Sequence, residues 1–160
     1  MTLWLRSCKI VRHHMAARVL VVEPNVGRRM ALKRVLDPIA DVAACGDFVT
    51  ARQHVREGTP DLLITNLRLD TYNGLHLVAH AGPPTRAVVY MDPPDPGLLR
   101  VAQAAGAFVE APQRLVAAAV SYVGVGLPPQ DRRAVNLTDH RYSMPRSRRA
   151  SDRLPKTSLH

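Results

Sequence analysis

Five short runs rich in Val, Leu, Ala and Ile recur along the chain, each followed by a segment of helical character. This alternation constrains the fold more than any other feature, because βα repeats build a parallel sheet covered by helices. The strand candidates are Arg18–Val22, Asp41–Cys45, Leu62–Asn66, Ala87–Met91 and Phe108–Ala111. They are short and poor in charge, as strands buried on both faces should be. The predicted helices are Val26–Leu36, Phe48–Glu57, Leu75–His80, Gly97–Ala105 and Arg114–Tyr122. Asp47 is placed to cap the second, where Phe48, Ala51, Arg52 and Val55 share helical spacing. Asp95-Pro96 forms a cap and first-turn pair for the fourth, which stops at Gly106. Strict alternation of five strands and five helices predicts an α/β fold, a three-layer doubly wound sandwich.

A chain of 160 residues is long enough for one domain with one hydrophobic core. Its net charge of +9 divides unevenly. Residues 1–14 hold Arg6, Lys9 and Arg12 without an acid, and residues 128–160 hold eight Lys or Arg against three Asp. Residues 15–127 hold eleven basic and ten acidic side chains, so the core is nearly neutral and the basic character belongs to the ends. No apolar run is long enough to span a bilayer, and the N-terminal stretch lacks the pattern of a secretory signal. Cys8 and Cys45 do not form a disulfide framework; Cys45 reads as a small core residue, and a cytoplasmic location is expected.

The densest motif runs Pro60-Asp61-Leu62-Leu63-Ile64-Thr65-Asn66-Leu67-Arg68-Leu69-Asp70-Thr71-Tyr72-Asn73-Gly74-Leu75. Together with Val21-Val22-Glu23-Pro24-Asn25 and Ala104-Ala105-Gly106-Ala107, it resembles the response-regulator receiver domain over about residues 17–123. In such domains an apolar strand ends in a phosphoryl-accepting aspartate, and a Gly opens the next helix eight residues later. Asn66 and Gly74 keep that spacing. The resemblance implies a flavodoxin-like, receiver-type five-stranded parallel sheet of order 2-1-3-4-5. It also implies a crevice beyond the C-terminal ends of strands one and three. The domain plan is an N-terminal extension over 1–16, a receiver-like domain over 17–125 and a basic disordered tail over 126–160. Met15 directly precedes the first strand, so Met1 and Met15 are both compatible starts.

Receivers carry an acidic pair after strand one, the aspartate after strand three, a Ser or Thr after strand four and a Lys before a Pro after strand five. The carboxylates hold magnesium, while the Lys and hydroxyl contact the phosphoryl group. In this chain the matching positions read Glu23-Pro24, Asn66, Met91 and Ala111. One carboxylate remains where three are usual. An amide oxygen is a poor nucleophile, and Glu23 alone should bind Mg²⁺ weakly or not at all. The resemblance therefore implies a degenerate phosphoacceptor pocket, a pseudo-receiver, with no catalytic residue, no cofactor and no metal site.

Other features have plainer readings. Asp70, four residues past Asn66, is an alternative acceptor but fits a turn residue with Asn73-Gly74. His76 and His80 lack further ligands at recognisable spacing and read as a solvent-facing pair; His13-His14 lies in the leader. Phe108, with Tyr90 nearby, stands where relatives couple the pocket to a partner surface, although a core role also fits. Arg146-Ser147-Arg148-Arg149-Ala150-Ser151 could contact phosphates, but Tyr142 is the tail's lone aromatic.

The function expected is that of a stand-alone pseudo-receiver in two-component or related signalling. It would meet a protein partner, such as a sensor kinase, without Asp phosphorylation. With no room for an effector domain after residue 127, output is expected from the receiver surface or the tail. Two alternatives stand beside this. One is an accessory nucleic-acid-binding protein using the basic tail, and the other is an active phosphoreceiver with an atypical acceptor. No hydrolytic or redox constellation is visible, so an enzyme is not expected, nor is a membrane partner.

Overall fold

The computed structural model describes residues 16–127. The leader and tail features, namely Cys8, His13-His14, Tyr142 and the arginine-rich segment, lie outside the described residues, as do the expectations attached to them. The elements, in chain order, are β1 Arg18–Val22, α1 Val26–Leu36, β2 Asp41–Cys45, α2 Phe48–Glu57, β3 Leu62–Asn66, β4 Arg68–Leu69, β5 Tyr72–Asn73, α3 Leu75–Ala81, β6 Arg86–Tyr90, α4 Pro96–Ala104, β7 Phe108–Val109 and α5 Leu115–Val125.

The main sheet is five-stranded with order β2-β1-β3-β6-β7. Every pairing in it is parallel. Counting its strands alone, this is the 2-1-3-4-5 arrangement, with the switch point between β1 and β3. Alternation along each strand divides the core into two layers. Val19 and Val21 of β1, Leu62 and Ile64 of β3, and Val88 and Tyr90 of β6 pack with Leu32 and Leu36 of α1 and Leu115 and Ala119 of α5. Leu20 and Val22, Leu63, and Val89 and Met91 pack on the opposite side with α2, α3 and α4. The odd-numbered residues of β1 and the even-numbered residues of β3 and β6 therefore face α1. Glu23 and Asn66 follow that parity, and this positions the site.

β1, β2, β3, α1 and α2 have the predicted bounds. β6 is displaced by one residue from the expected Ala87–Met91. Its ladder begins at Arg86, whose N–H donates to Asp61 O at 3.0 Å, and ends at Tyr90, with Met91 outside it just before Asp92-Pro93-Pro94. β7 ends at Val109 rather than Ala111, because Pro112 offers no ladder donor. α3 and α5 run slightly longer than expected, and α4 begins at Pro96. Asp47 Oδ1 caps α2 through Thr50 N at 2.9 Å, and Asp95 Oδ1 accepts from Gly97 N and Leu98 N at 2.8 and 3.1 Å. Both predicted caps are formed.

Between β3 and α3 the chain makes a two-stranded hairpin, β4 and β5, that sequence reasoning did not anticipate. Its turn is Asp70-Thr71, with Asp70 at φ +51°. Asp tolerates this left-handed conformation better than most side chains. Asp70 thus takes the turn role expected of it. Gly74 then returns the chain against the end of β3. A Cβ there would lie 2.3 Å from Asn66 O and 3.1 Å from Leu67 Cα, so a side chain is excluded by contact with backbone. The eight-residue spacing between Asn66 and Gly74 is the length of this loop.

Candidate functional site

The site lies beyond the C-terminal ends of β1, β3 and β6. Glu23 follows β1 directly and is 1% exposed, although its side chain is a carboxylate. Burying such a charge is costly unless donors and a counter-charge surround it. Four groups do so. Asn25 N donates to Oε1 at 2.7 Å, closing a tight turn around Pro24. The Tyr90 hydroxyl donates to Oε2. Asn66 Nδ2 and Arg28 Nη1 both approach Oε2 at 3.5 Å.

Arg28 reaches this position because α1 begins where it does. Asn25 caps the helix, its Oδ1 accepting from Arg28 N at 2.9 Å. That bond fixes the Arg28 backbone one turn into α1, on the side of the sheet that Glu23 faces. Its guanidinium then spans two carboxylates, Glu23 at 3.5 Å and Asp92 Oδ2 at 3.6 Å, and lies 5.9 Å from the centroid of the Tyr90 ring. An aromatic face is a favourable neighbour for such a cation. Arg29 supports the same loop, with Nη1 donating to Glu23 O at 2.6 Å and to Pro24 O at 3.3 Å.

Tyr90 is fully buried at the end of β6, in register with Asn66. Burial, and then the bond to Glu23, push its phenol well above the ordinary tyrosine range. It is a permanent donor at any physiological pH. Asn66, 8% exposed, uses its other amide atom locally, Oδ1 accepting from Arg68 N at 2.9 Å. The amide thus ties Glu23 to the start of the hairpin.

The structure brings together Glu23, Pro24 and Asn66 as the sequence pattern implied. Met91 is buried on the other face of the sheet, where its Sδ accepts from Asp95 N at 3.3 Å. Ala111 is buried two residues past the end of β7 and carries no polar side-chain group. Phe108 is 3% exposed and packs in the α1/α5 layer, 6.3 Å from the Tyr122 ring. His76 and His80 are exposed on α3, and Cys45 is buried beside β1. Arg28 and the Tyr90 hydroxyl are the functional groups that sequence reasoning missed. The signal for Tyr90 was its pairing register with Asn66; for Arg28 it was the cap at Asn25, which sets where the third helical residue must lie.

The geometry matches known folds closely. Among similar solved structures is a response regulator from Hahella chejuensis, 24% identical, with TM-score 0.60, covering 71% of this chain and 99% of that one. The CheY-like receiver domain protein from Methanospirillum hungatei JF-1 is 14% identical, with TM-score 0.61 and coverage of 69% and 96%. The chemotaxis response regulator CheY4 of Vibrio cholerae is 18% identical, with TM-score 0.56 and coverage of 68% and 98%. This is the receiver fold. At these identities the likeness speaks for architecture, and no protein-family model or curated protein matches the sequence. A fold does not fix a function, which must be argued from the site it carries. Among the described residues no cluster of three or more His, Cys, Asp or Glu side chains is gathered, and no helix is long and apolar enough to cross a membrane.

Proposed function

We propose that this protein is a pseudo-receiver: a response-regulator-like signalling module that works through protein contacts and does not accept a phosphoryl group. The observation that carries the reading is the engagement of Glu23 by Arg28, Tyr90 and Asn66. Mg²⁺ needs carboxylate or phosphate oxygens while it keeps several waters. The one buried carboxylate of this pocket already holds a guanidinium, a phenol and an amide, all supplied by the chain itself. A bound cation would have to displace Arg28 from both Glu23 and Asp92. The residues present do not fit a magnesium site.

The nucleophile is absent as well. Asn66 offers an amide whose oxygen is occupied by Arg68 N. Phosphoryl transfer draws its rate from positioning and charge stabilisation; neither Pro24 nor Ala111 supplies a side-chain donor, Met91 lies on the other face of the sheet, and the Tyr90 hydroxyl and Arg28 are committed to Glu23. Asp70 is an exposed turn residue and is not drawn into the pocket.

The test is incubation of the full chain with acetyl phosphate and Mg²⁺, followed by intact-mass analysis. The expected result is an unmodified mass. An adduct mapping to any side chain of the 16–127 core would overturn the proposal.

A further inference from the structure

On the other side of the hairpin, α2 and β5 enclose a surface groove of about 330 Å³ lined by Phe48, Val49, Arg52, Gln53, Arg56 and Tyr72. Its wall is well defined. Tyr72 stacks on Phe48 with centroids 4.5 Å apart and planes 11° from parallel, and Phe48 itself is anchored in the core. The groove exposes apolar surface at Val49, 65% accessible, and at Tyr72, 49% accessible. It also carries two guanidinium groups and no carboxylate among its lining residues.

Arg52 and Arg56 have no ion pair among the described residues, so the chain sets no carboxylate against either guanidinium. The Nε–H of Arg52 is moreover buried without an acceptor. This donor is closed to solvent in the free chain, so a partner's acceptor reaches it only when the Arg52 side chain turns on binding. A carboxylate suits it, because the Nε edge of a guanidinium can bind one through two parallel bonds.

We infer that this groove docks an acidic peptide segment of a partner protein, with a carboxylate on Arg52 and Arg56 and an apolar side chain against Val49 and Tyr72. The chain's own segment 128–160 is excluded by charge, since its eight basic residues outnumber its three acids. A polynucleotide is a contrary outcome of the experiment, because the groove lies in the nearly neutral part of the chain, where residues 15–127 carry eleven basic against ten acidic groups. The inference rests on the reading of this protein as a protein-contact module. It concerns a different surface from the Glu23 pocket, so the two can fail separately.

The experiment is titration of the isotope-labelled full chain, with no phosphoryl donor present. The probe is a short blocked peptide of alternating Glu and Leu, and the control is its Gln/Leu counterpart. The expected result is saturable NMR shifts at Val49, Tyr72 and the Arg52 and Arg56 side chains with the acidic peptide, weakened about tenfold in Arg56→Gln. Arg52→Lys, which keeps the charge but loses the Nε donor, should weaken binding similarly while the spectrum stays dispersed. No shifts at the groove would overturn the inference. Equal shifts with the Gln/Leu peptide, or with acetate at the same concentration, would do the same. So would tighter binding of a single-stranded oligonucleotide at these residues.

Discussion

The Tyr90 hydroxyl donates to the Glu23 carboxylate across the C-terminal ends of β6 and β1, with β3 between them. A phenol from one strand thereby secures a buried charge on another, and Asn66 lies between the two. Tyr90→Phe removes a donor to a buried carboxylate and leaves the packing ring in place. The expected loss is about 1.5–3 kcal/mol, the range for a hydrogen bond to a charged group. Urea denaturation of the two proteins measures it.

Asn66→Asp alone is expected to leave the protein unphosphorylated by acetyl phosphate and Mg²⁺, because Arg28 and Tyr90 still hold Glu23 and Ala111 offers no cation to a phosphoryl group. It also sets a second carboxylate where Asn66 Nδ2 stood, 3.5 Å from Glu23 Oε2. Like charges at that separation resist joint ionisation, so stability near neutral pH should fall by on the order of 2 kcal/mol. Mass analysis and thermal melting read the two outcomes. Efficient labelling of this single variant would show the pocket assignment to be wrong.

Much of this architecture is legible in the sequence. β2 is bounded by turn residues on both sides, β1 by Pro24-Asn25 after it and β3 by Gly58-Thr59-Pro60 before it, and their apolar content leaves little freedom in register. The hairpin was hidden because Asp70-Thr71 lacks the Gly that usually marks so tight a turn. Arg28 was hidden for a different reason. On a helix its position reads as an ordinary charged residue, and only the path of the loop from Glu23 to the Asn25 cap turns its side chain back to the strand ends. Tyr90 was legible as a core aromatic, but no periodicity reveals what a buried hydroxyl touches.

Gly74→Ala should destabilise the fold by about 1–3 kcal/mol, the usual range for forcing atoms into a packed site. The new methyl would meet Asn66 O and Leu67 Cα, which are backbone atoms and cannot rotate away. Denaturant titration gives the value. Because the displaced atoms adjoin Asn66, the Asn66 and Tyr90 amide signals should shift as well.

Asp47 supplies an acid-sensitive contribution. The N–H and then the hydroxyl of Thr50 hold its carboxyl below the ordinary aspartate range. A folded pKa depressed in this way contributes stability that is present above the unfolded pKa and is lost as pH falls through the folded one. Asp47→Asn keeps a good cap but cannot titrate. Its stability should fall less than that of the parent on acidification below about pH 4, which melts across that range would show.

Burial, with Asp47 nearby, pushes the Cys45 thiol up to about 11. At pH 8 only about one molecule in a thousand would carry the thiolate, the reactive form. Mass mapping after alkylation should find Cys45 unmodified in the native protein and fully modified in urea. Rapid native labelling would show that β2 is less well covered than described.

Magnesium titration of the labelled chain tests most directly whether the pocket is closed by its own side chains. Signals from Asn66, Tyr90 and the Arg28 guanidinium should stay in place at millimolar Mg²⁺. Saturable movement of those signals, with release of Arg28 from Glu23, would contradict the account.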